Sequence, residues 1–274
     1  MKTIHHVLNW AKQQLKEACE RPQYEAELLL AYHLKKDRIY LMTHDRDSVG
    51  NLERFKALIA RRANYEPYEY IVGEASFYDI HLQVEEGVLI PRPETEILID
   101  LVADIIEKEH ITHIAEIGVG TGAISIVLAR KFPELSVVAT DISDAPLCVA
   151  QKNIETFGLE KQIELRKSNL IDKVNEPVEL VVSNPPYIAE DFLLASNVVE
   201  YEPKEALFGG RVGDELLKQI ILDVHARGIK WLACEMGYDQ KEPISECVKE
   251  VGVQSIKFYK DLAGFDRGFV IEFS

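Results

Sequence analysis

The sequence predicts an α/β protein in two parts: a small all-helical N-terminal bundle, then a Rossmann-like, doubly wound, mostly parallel sheet covered by helices. Three observations carry this. Apolar residues recur at helical spacing up to about Tyr65. From Glu94 onward, helix-period stretches alternate with short apolar runs, the pattern of repeated βαβ units. Charge divides at the same place, with a formal balance of +2 over residues 1–72 and −17 over the rest, within a total of −15. A chain of 274 residues with 47% hydrophobic and 28% charged residues has enough material for two compact cores and no long disordered stretch.

Taken in order, helical spacing over 4–18, 24–34 and 52–63 predicts a bundle spanning 1–70. Residues 71–84 are rich in β-branched and aromatic side chains and are punctuated by Gly73 and Asp79, so 71–90 reads as a β-hairpin linker leading into Pro91-Arg92-Pro93. The larger domain, 91–274, then predicts helices over 95–109, 122–131, 145–157 and 214–227, and strands over 114–117, 137–140, 163–165, 180–183, 231–235 and 269–273.

Composition excludes several function classes. A net charge of −15 argues against broad engagement of a phosphate backbone, because that affinity comes from cations displacing counterions. Cys19, Cys148, Cys234 and Cys247 are widely spaced, with no paired-cysteine motif, and read as buried thiols of a reducing compartment rather than a zinc or disulfide framework. The first 20 residues lack the apolar run of a signal peptide, and no stretch approaches the roughly 18 apolar residues of a membrane span, so a cytoplasmic protein is expected. Trp10 and Trp231 read as core, His5, His6, His33 and His44 as ordinary polar groups, and Arg61-Arg62 as cations at a helix end.

In a doubly wound sheet, ligands bind outside the carboxyl ends of the strands, and three motifs fall there. Glu116-Ile117-Gly118-Val119-Gly120-Thr121-Gly122 allows a tight turn and close approach of a ligand to backbone N–H groups; the same letters also fit a dinucleotide loop or a plain packing turn. Asp141, 19 residues after Gly122, can accept both hydroxyl hydrogens of a ribose, or cap the next helix. Ser183-Asn184-Pro185-Pro186-Tyr187 is the most specific and points to N-methylation. An amide or ring-conjugated amine is a poor nucleophile because its lone pair is delocalised. The Asn184 side-chain carbonyl and the Pro185 backbone carbonyl can each accept one substrate N–H, Pro186 removes a competing donor and holds Pro185 extended, and Tyr187 offers a flat wall. The motif contains no strong base, so positioning and electrostatics would carry catalysis.

At these residues the sequence resembles the HemK-type (PrmC) protein-glutamine N5-methyltransferases, which modify the Gly-Gly-Gln loop of class I peptide-chain release factors. The resemblance also takes in Glu66-Pro67 with Tyr70-Ile71 and Gly73, Leu89 to Glu96, Tyr201-Glu202-Pro203, Ala206-Leu207, Gly209-Gly210, Gly213, Glu235 to Gln240, and Lys260 to Gly264 with Arg267. It implies a seven-stranded class I S-adenosylmethionine-dependent methyltransferase domain, with the helical N-terminal domain helping to grip the release factor. It further implies that Gly118, Gly120 and Gly122, with Glu116, Val119, Thr121 and Ile142, line the S-adenosylmethionine site. Asp141 would bind the ribose, Asn169 and Leu170 would lie near the adenine, and Arg92 and Glu94 would gate or brace the pocket. Asn184, Pro185, Pro186 and Tyr187 would hold the glutamine, with Asn184 also touching the cofactor. Glu116 and Val119 stand where Asp and Thr are commoner in the family, and Ser168-Asn169-Leu170 departs from its usual pattern. No membrane and no direct nucleic-acid partner are expected.

Three other readings remain at this point. A nucleic-acid adenine or guanine N-methyltransferase fits Asn-Pro-Pro-Tyr equally well but would call for a basic, aromatic-lined channel. A binding module with a vestigial cofactor site leaves the intact motifs without purpose. A dehydrogenase using the glycine loop for a nicotinamide cofactor leaves Asn-Pro-Pro-Tyr unexplained.

Overall fold

In a computed structural model, which describes residues 2–194, 198 and 200–274, the chain forms two compact units. The first covers residues 2–74 with the described residues of 195–201, and the second covers 75–194 and 202–274.

The first unit is helical. α1 (Ile4–Leu15) starts at Thr3, whose hydroxyl accepts from the His6 N–H, and α2 (Pro22–Leu34) opens on a proline, whose missing N–H has no helical partner to lose. α3 (Arg38–Thr43) is capped by Asp37, which accepts from the Tyr40 N–H at 2.7 Å. α4 (Leu52–Ala63) and α5 (Tyr68–Val72) complete the unit, around a core that includes Val7, Leu15, Leu29, Leu30, Phe55 and Ile59. Arg61 and Arg62 do end a helix, and both are held inside the unit: Arg62 pairs with Glu25, and Arg61 pairs with Glu66 and donates to the Tyr70 carbonyl at 3.4 Å.

The second unit opens with a hairpin, β1 (Glu74–Phe77) and β2 (Ile80–Gln83), whose Phe77, Ile80 and Leu82 are buried in the core of this unit. The segment that reads as a linker is therefore a packed element. There follow α6 (Thr95–Glu109), β3 (His113–Ile117), α7 (Ala123–Lys131), β4 (Ser136–Asp141), α8 (Asp144–Phe157), β5 (Ile163–Lys167) and β6 (Leu180–Ser183). A short parallel pair, β7 (Ile188–Ala189) with β8 (Phe208–Gly210), precedes α9 (Glu215–Ala226) and β9 (Trp231–Glu235). α10 (Lys241–Val251), β10 (Ser255–Lys260) and β11 (Asp266–Glu272) close the chain.

The main sheet has seven strands in the order β10-β11-β9-β6-β3-β4-β5, parallel except that β11 runs antiparallel to both neighbours. Strand order reverses at β3, which lies between β4 and β6. Register then places the site. Ile117 stands level with Thr140 on one side and Ser183 on the other, and Ser183 is level with Cys234. The next residues along, Gly118, Asp141, Asn184 and Glu235, accordingly emerge together at the carboxyl edge. Four residues of β3 and all of β6 are buried, as expected of strands covered on both faces.

Sequence periodicity missed α3 and α5, six and five residues long and too short to show a helical repeat, and the two-residue β7 with its partner β8. It also missed α10, which carries Pro243 in its first turn, where proline is tolerated, and β10, an edge strand with Tyr259 as its only buried residue. One thiol departs from expectation: Cys148 is exposed on α8, whereas Cys234 is buried and Cys19 and Cys247 are intermediate. Trp10 and Trp231 pack against the two cores. Among the described residues, no helix is long and apolar enough to cross a membrane.

Candidate active site

The loop from β3 to α7 is the first wall of the site. Gly118 and Val119 each donate their N–H to the Thr140 carbonyl at 2.9 Å, folding the loop back onto β4. Gly120 and Gly122 sit at φ +55° and +84°, in the left-handed region that side chains strain to adopt. Their surroundings differ. A Cβ on Gly120 would meet nothing within 4 Å, leaving the backbone open to a ligand, whereas one on Gly122 would lie 3.1 Å from the Ile126 Cδ1 and 3.6 Å from the Ala150 Cβ, so Gly122 serves the close approach of α7 and α8. Glu116 turns inward: it is 1% exposed and accepts from the Ser125 N–H at 3.0 Å and from the Ser125 hydroxyl.

Asp141, at the end of β4, accepts from the Gly120 N–H at 3.3 Å and the Ser143 N–H at 3.0 Å. Burial raises its pKa, and these backbone donors offset part of the rise. The N-cap of α8 is Ser143, so Asp141 braces the glycine loop and the following turn rather than capping the helix. Asn153, 1% exposed on α8, donates to the Thr121 carbonyl at 2.9 Å and to the Gln83 carbonyl at 3.0 Å and accepts from the Gln83 N–H at 2.8 Å. One buried amide thus ties the glycine loop to the hairpin.

Asn184 to Tyr187 follow β6 directly. Gly118 lies against the turn, and a Cβ there would be 4.0 Å from the Asn184 carbonyl oxygen. The Asn184 Nδ2 donates to the Thr95 Oγ1 at 2.9 Å, and the Thr95 hydroxyl donates to the Glu235 Oε2 at 2.8 Å. The Tyr187 hydroxyl donates to the other oxygen, Oε1, at 3.0 Å. Glu235 is 1% exposed, and burial raises its pKa, with the Thr95 and Tyr187 donors and the Arg267 charge working against that rise. Burial, together with the Glu235 charge and hydrogen bond, likewise raises the pKa of Tyr187. Gln240 holds the turn from behind, donating to the Tyr187 carbonyl at 2.8 Å while accepting from the Gly237 N–H at 2.8 Å.

A cavity at this edge is lined by Arg92, Thr95, Glu116, Gly118, Val119, Gly120, Thr121 and Asn184, with Phe77, Leu89, Pro91, Ala123 and Ile124 as its apolar wall. Arg92 is paired with Glu202, whose side chain is almost fully buried. Gly122 and Asp141 adjoin the lining without belonging to it. Glu94, half-buried, stands just before α6 and makes no side-chain cap bond; Ile142 is exposed beyond β4; Asn169 is exposed, and Leu170 is buried in a left-handed conformation. A wider cavity in the first unit, lined by Lys12, Arg21, Tyr24, Glu27 and Arg38, holds no motif of the sheet edge, and its Arg38 is neutralised by Glu27.

Sequence reasoning assigned no role to Thr95, Asn153, Glu235 or Gln240. The available signal was the polar ending of apolar strands: Glu116, Asp141 and Glu235 are acids within or closing three runs of otherwise apolar residues, at one edge of one sheet.

Comparison with known proteins finds two matching families along the chain. The family described as the PrmC N-terminal domain matches residues 6–73, and the methyltransferase small domain matches residues 94–201. A release factor glutamine methyltransferase of Clostridium botulinum is 36% identical over 256 residues, 89% of this chain and 90% of its own length. One from Dictyoglomus turgidum is 40% identical over 235 residues, covering 84% of this chain and 83% of the relative. Among solved structures, the hMettl16 catalytic domain in complex with an MAT2A 3'UTR hairpin aligns with a TM-score of 0.60 over 81% of each chain. At 18% identity that likeness concerns the fold alone.

Proposed function

This chain belongs to the release factor glutamine methyltransferases, and we propose that Asn184 to Tyr187 hold the acceptor glutamine beside an S-adenosylmethionine seated on the glycine loop. It is an S-adenosylmethionine-dependent protein-glutamine N5-methyltransferase. Its substrate is the glutamine of the Gly-Gly-Gln loop of class I peptide-chain release factors, encountered in the cytoplasm, and its action supports translation termination.

The chain's own groups fit the cofactor. The open backbone at Gly120 admits a ligand without steric cost, Gly118 borders the Asn184 turn, and the Asp141 carboxylate, hydrogen-bonded to that loop, would accept from ribose hydroxyls. Val119, Thr121, Ile142, Asn169 and Leu170 would complete its surroundings, with Arg92 and Glu94 at the entrance. When bound, S-adenosylmethionine supplies an electrophilic methyl group on a sulfonium.

The glutamine amide nitrogen has its lone pair in conjugation with its own carbonyl. The Asn184 Oδ1 and the Pro185 carbonyl accept its two hydrogens, orient the nitrogen and favour pyramidal geometry; Pro186 keeps Pro185 extended, and Tyr187 walls the planar group. As it gains the methyl group, the nitrogen would release one of its two hydrogens as a proton to water, and Asn184 to Tyr187 include no base to take it. Glu235, buried beneath the turn and engaged with Thr95 and Tyr187, is placed to hold the clamp rather than to remove a proton.

The adjacency of Gly118 to the Asn184 carbonyl carries this reading, because it sets the loop for the donor and the turn for the acceptor side by side. Asn-Pro-Pro-Tyr would also suit an adenine or guanine amine, but 36% identity along nine-tenths of a release factor glutamine methyltransferase and a charge of −15 favour protein. Incubation with tritiated S-adenosylmethionine, a release factor and total RNA tests this: label is expected in the release factor, and label in RNA alone would reverse it.

A further inference from the structure

We infer that Thr95 and Glu235 are positioning residues that fix which end of the Asn184 side-chain amide faces the acceptor. The inference rests on Asn184 being the clamp and goes beyond it, by saying what makes the clamp one-sided.

A free asparagine presents its C=O or its NH2 with nearly equal ease, since the two ends have similar shape. Only the C=O can accept an N–H from a substrate amide, so a clamp that turns over is inert. The relay under the turn removes the choice. Both oxygens of the Glu235 carboxylate accept, one from Tyr187 at 3.0 Å and one from Thr95 at 2.8 Å. A threonine hydroxyl has a single hydrogen, and here it points at Glu235, so toward Asn184 the Thr95 oxygen can only accept. The Asn184 NH2 must therefore face Thr95, at 2.9 Å, and its Oδ1 is turned the other way. Burial makes the bias firm: Thr95 is 4% exposed and Glu235 1%, so turning the Thr95 hydroxyl away would leave the buried Glu235 oxygen without its donor. The three residues come from three elements, α6, the β6 end and the β9 end, and no local turn sets their alignment.

The test is Thr95→Val, which keeps the shape and removes the hydroxyl, beside Thr95→Ser, which restores it, and Asn184→Ala. For methylation of a release factor, Thr95→Val is expected to lower kcat about 10- to 100-fold, the scale of a misplaced catalytic contact. Thr95→Ser should recover most of the rate. In the unmutated protein, labelled at asparagine for NMR, the Asn184 side-chain hydrogen facing Thr95 is expected to exchange with water more slowly than the other. Parental kcat in Thr95→Val, equal losses in Val and Ser, or equal exchange of both Asn184 hydrogens would each overturn the inference, the last without any variant having to fold. Parental activity in Asn184→Ala would instead overturn the clamp itself.

Discussion

Glu116 illustrates how a buried acid ties the site to pH. Burial pushes its carboxyl up to about 8 from an ordinary 4.5, the two bonds from Ser125 offset part of that, and the neighbouring Asp141 charge adds to it. The folded protein therefore holds this proton more tightly than the unfolded chain. The contribution to stability is full below about 4.5 and is lost as pH rises toward about 8. Glu116→Gln, which can still accept from Ser125, should match the parent's stability at pH 5 and exceed it at pH 9, by up to about 5 kcal/mol. A variant that melts lower at pH 9 would mean that an ionised Glu116 stabilises the loop. Residues differ in how legible they were. Asn184, Asp141 and the glycines lie in contiguous motifs at strand ends, so their spacing was visible in the sequence. Thr95 meets Glu235 across 140 residues and Asn184 across 89, and such pairings appear only once the strand register is known.

At the scale of elements, β8 bears directly on the clamp. A Cβ on Gly209 would lie 2.4 Å from the Pro186 carbonyl oxygen and 2.5 Å from that of Gly213, backbone atoms that cannot swing aside. Gly209→Ala should displace the Asn184 to Tyr187 turn and reduce methyl transfer by about 10-fold or more, while the glycine loop and S-adenosylhomocysteine affinity stay intact. Unchanged turnover in that variant would mean that the pairing of β7 with β8 does not set the turn. The strands and helices of the βαβ core were readable because each is long enough to show its period and two helices are closed by a left-handed glycine or histidine. The short pieces α3, α5, β7 and β8 owe their structure to caps and neighbours, which periodicity does not report.

For the whole molecule, the division into a helical unit and a sheet unit was foreshadowed by the shift in formal charge from +2 to −17 and by the change of period near Tyr65. The hairpin was recognised in the sequence, but its membership of the second core was not, because four-residue strands do not report which core buries Phe77, Ile80 and Leu82. The central claim is that this fold delivers a methyl group to a glutamine side chain through Asn184. Mass spectrometry of the Gly-Gly-Gln peptide, from a release factor incubated with the protein and S-adenosylmethionine, measures that directly. A single methyl gain on the glutamine side chain that disappears with Asn184→Ala is the predicted result; no gain on that residue with folded, cofactor-binding protein would contradict the account.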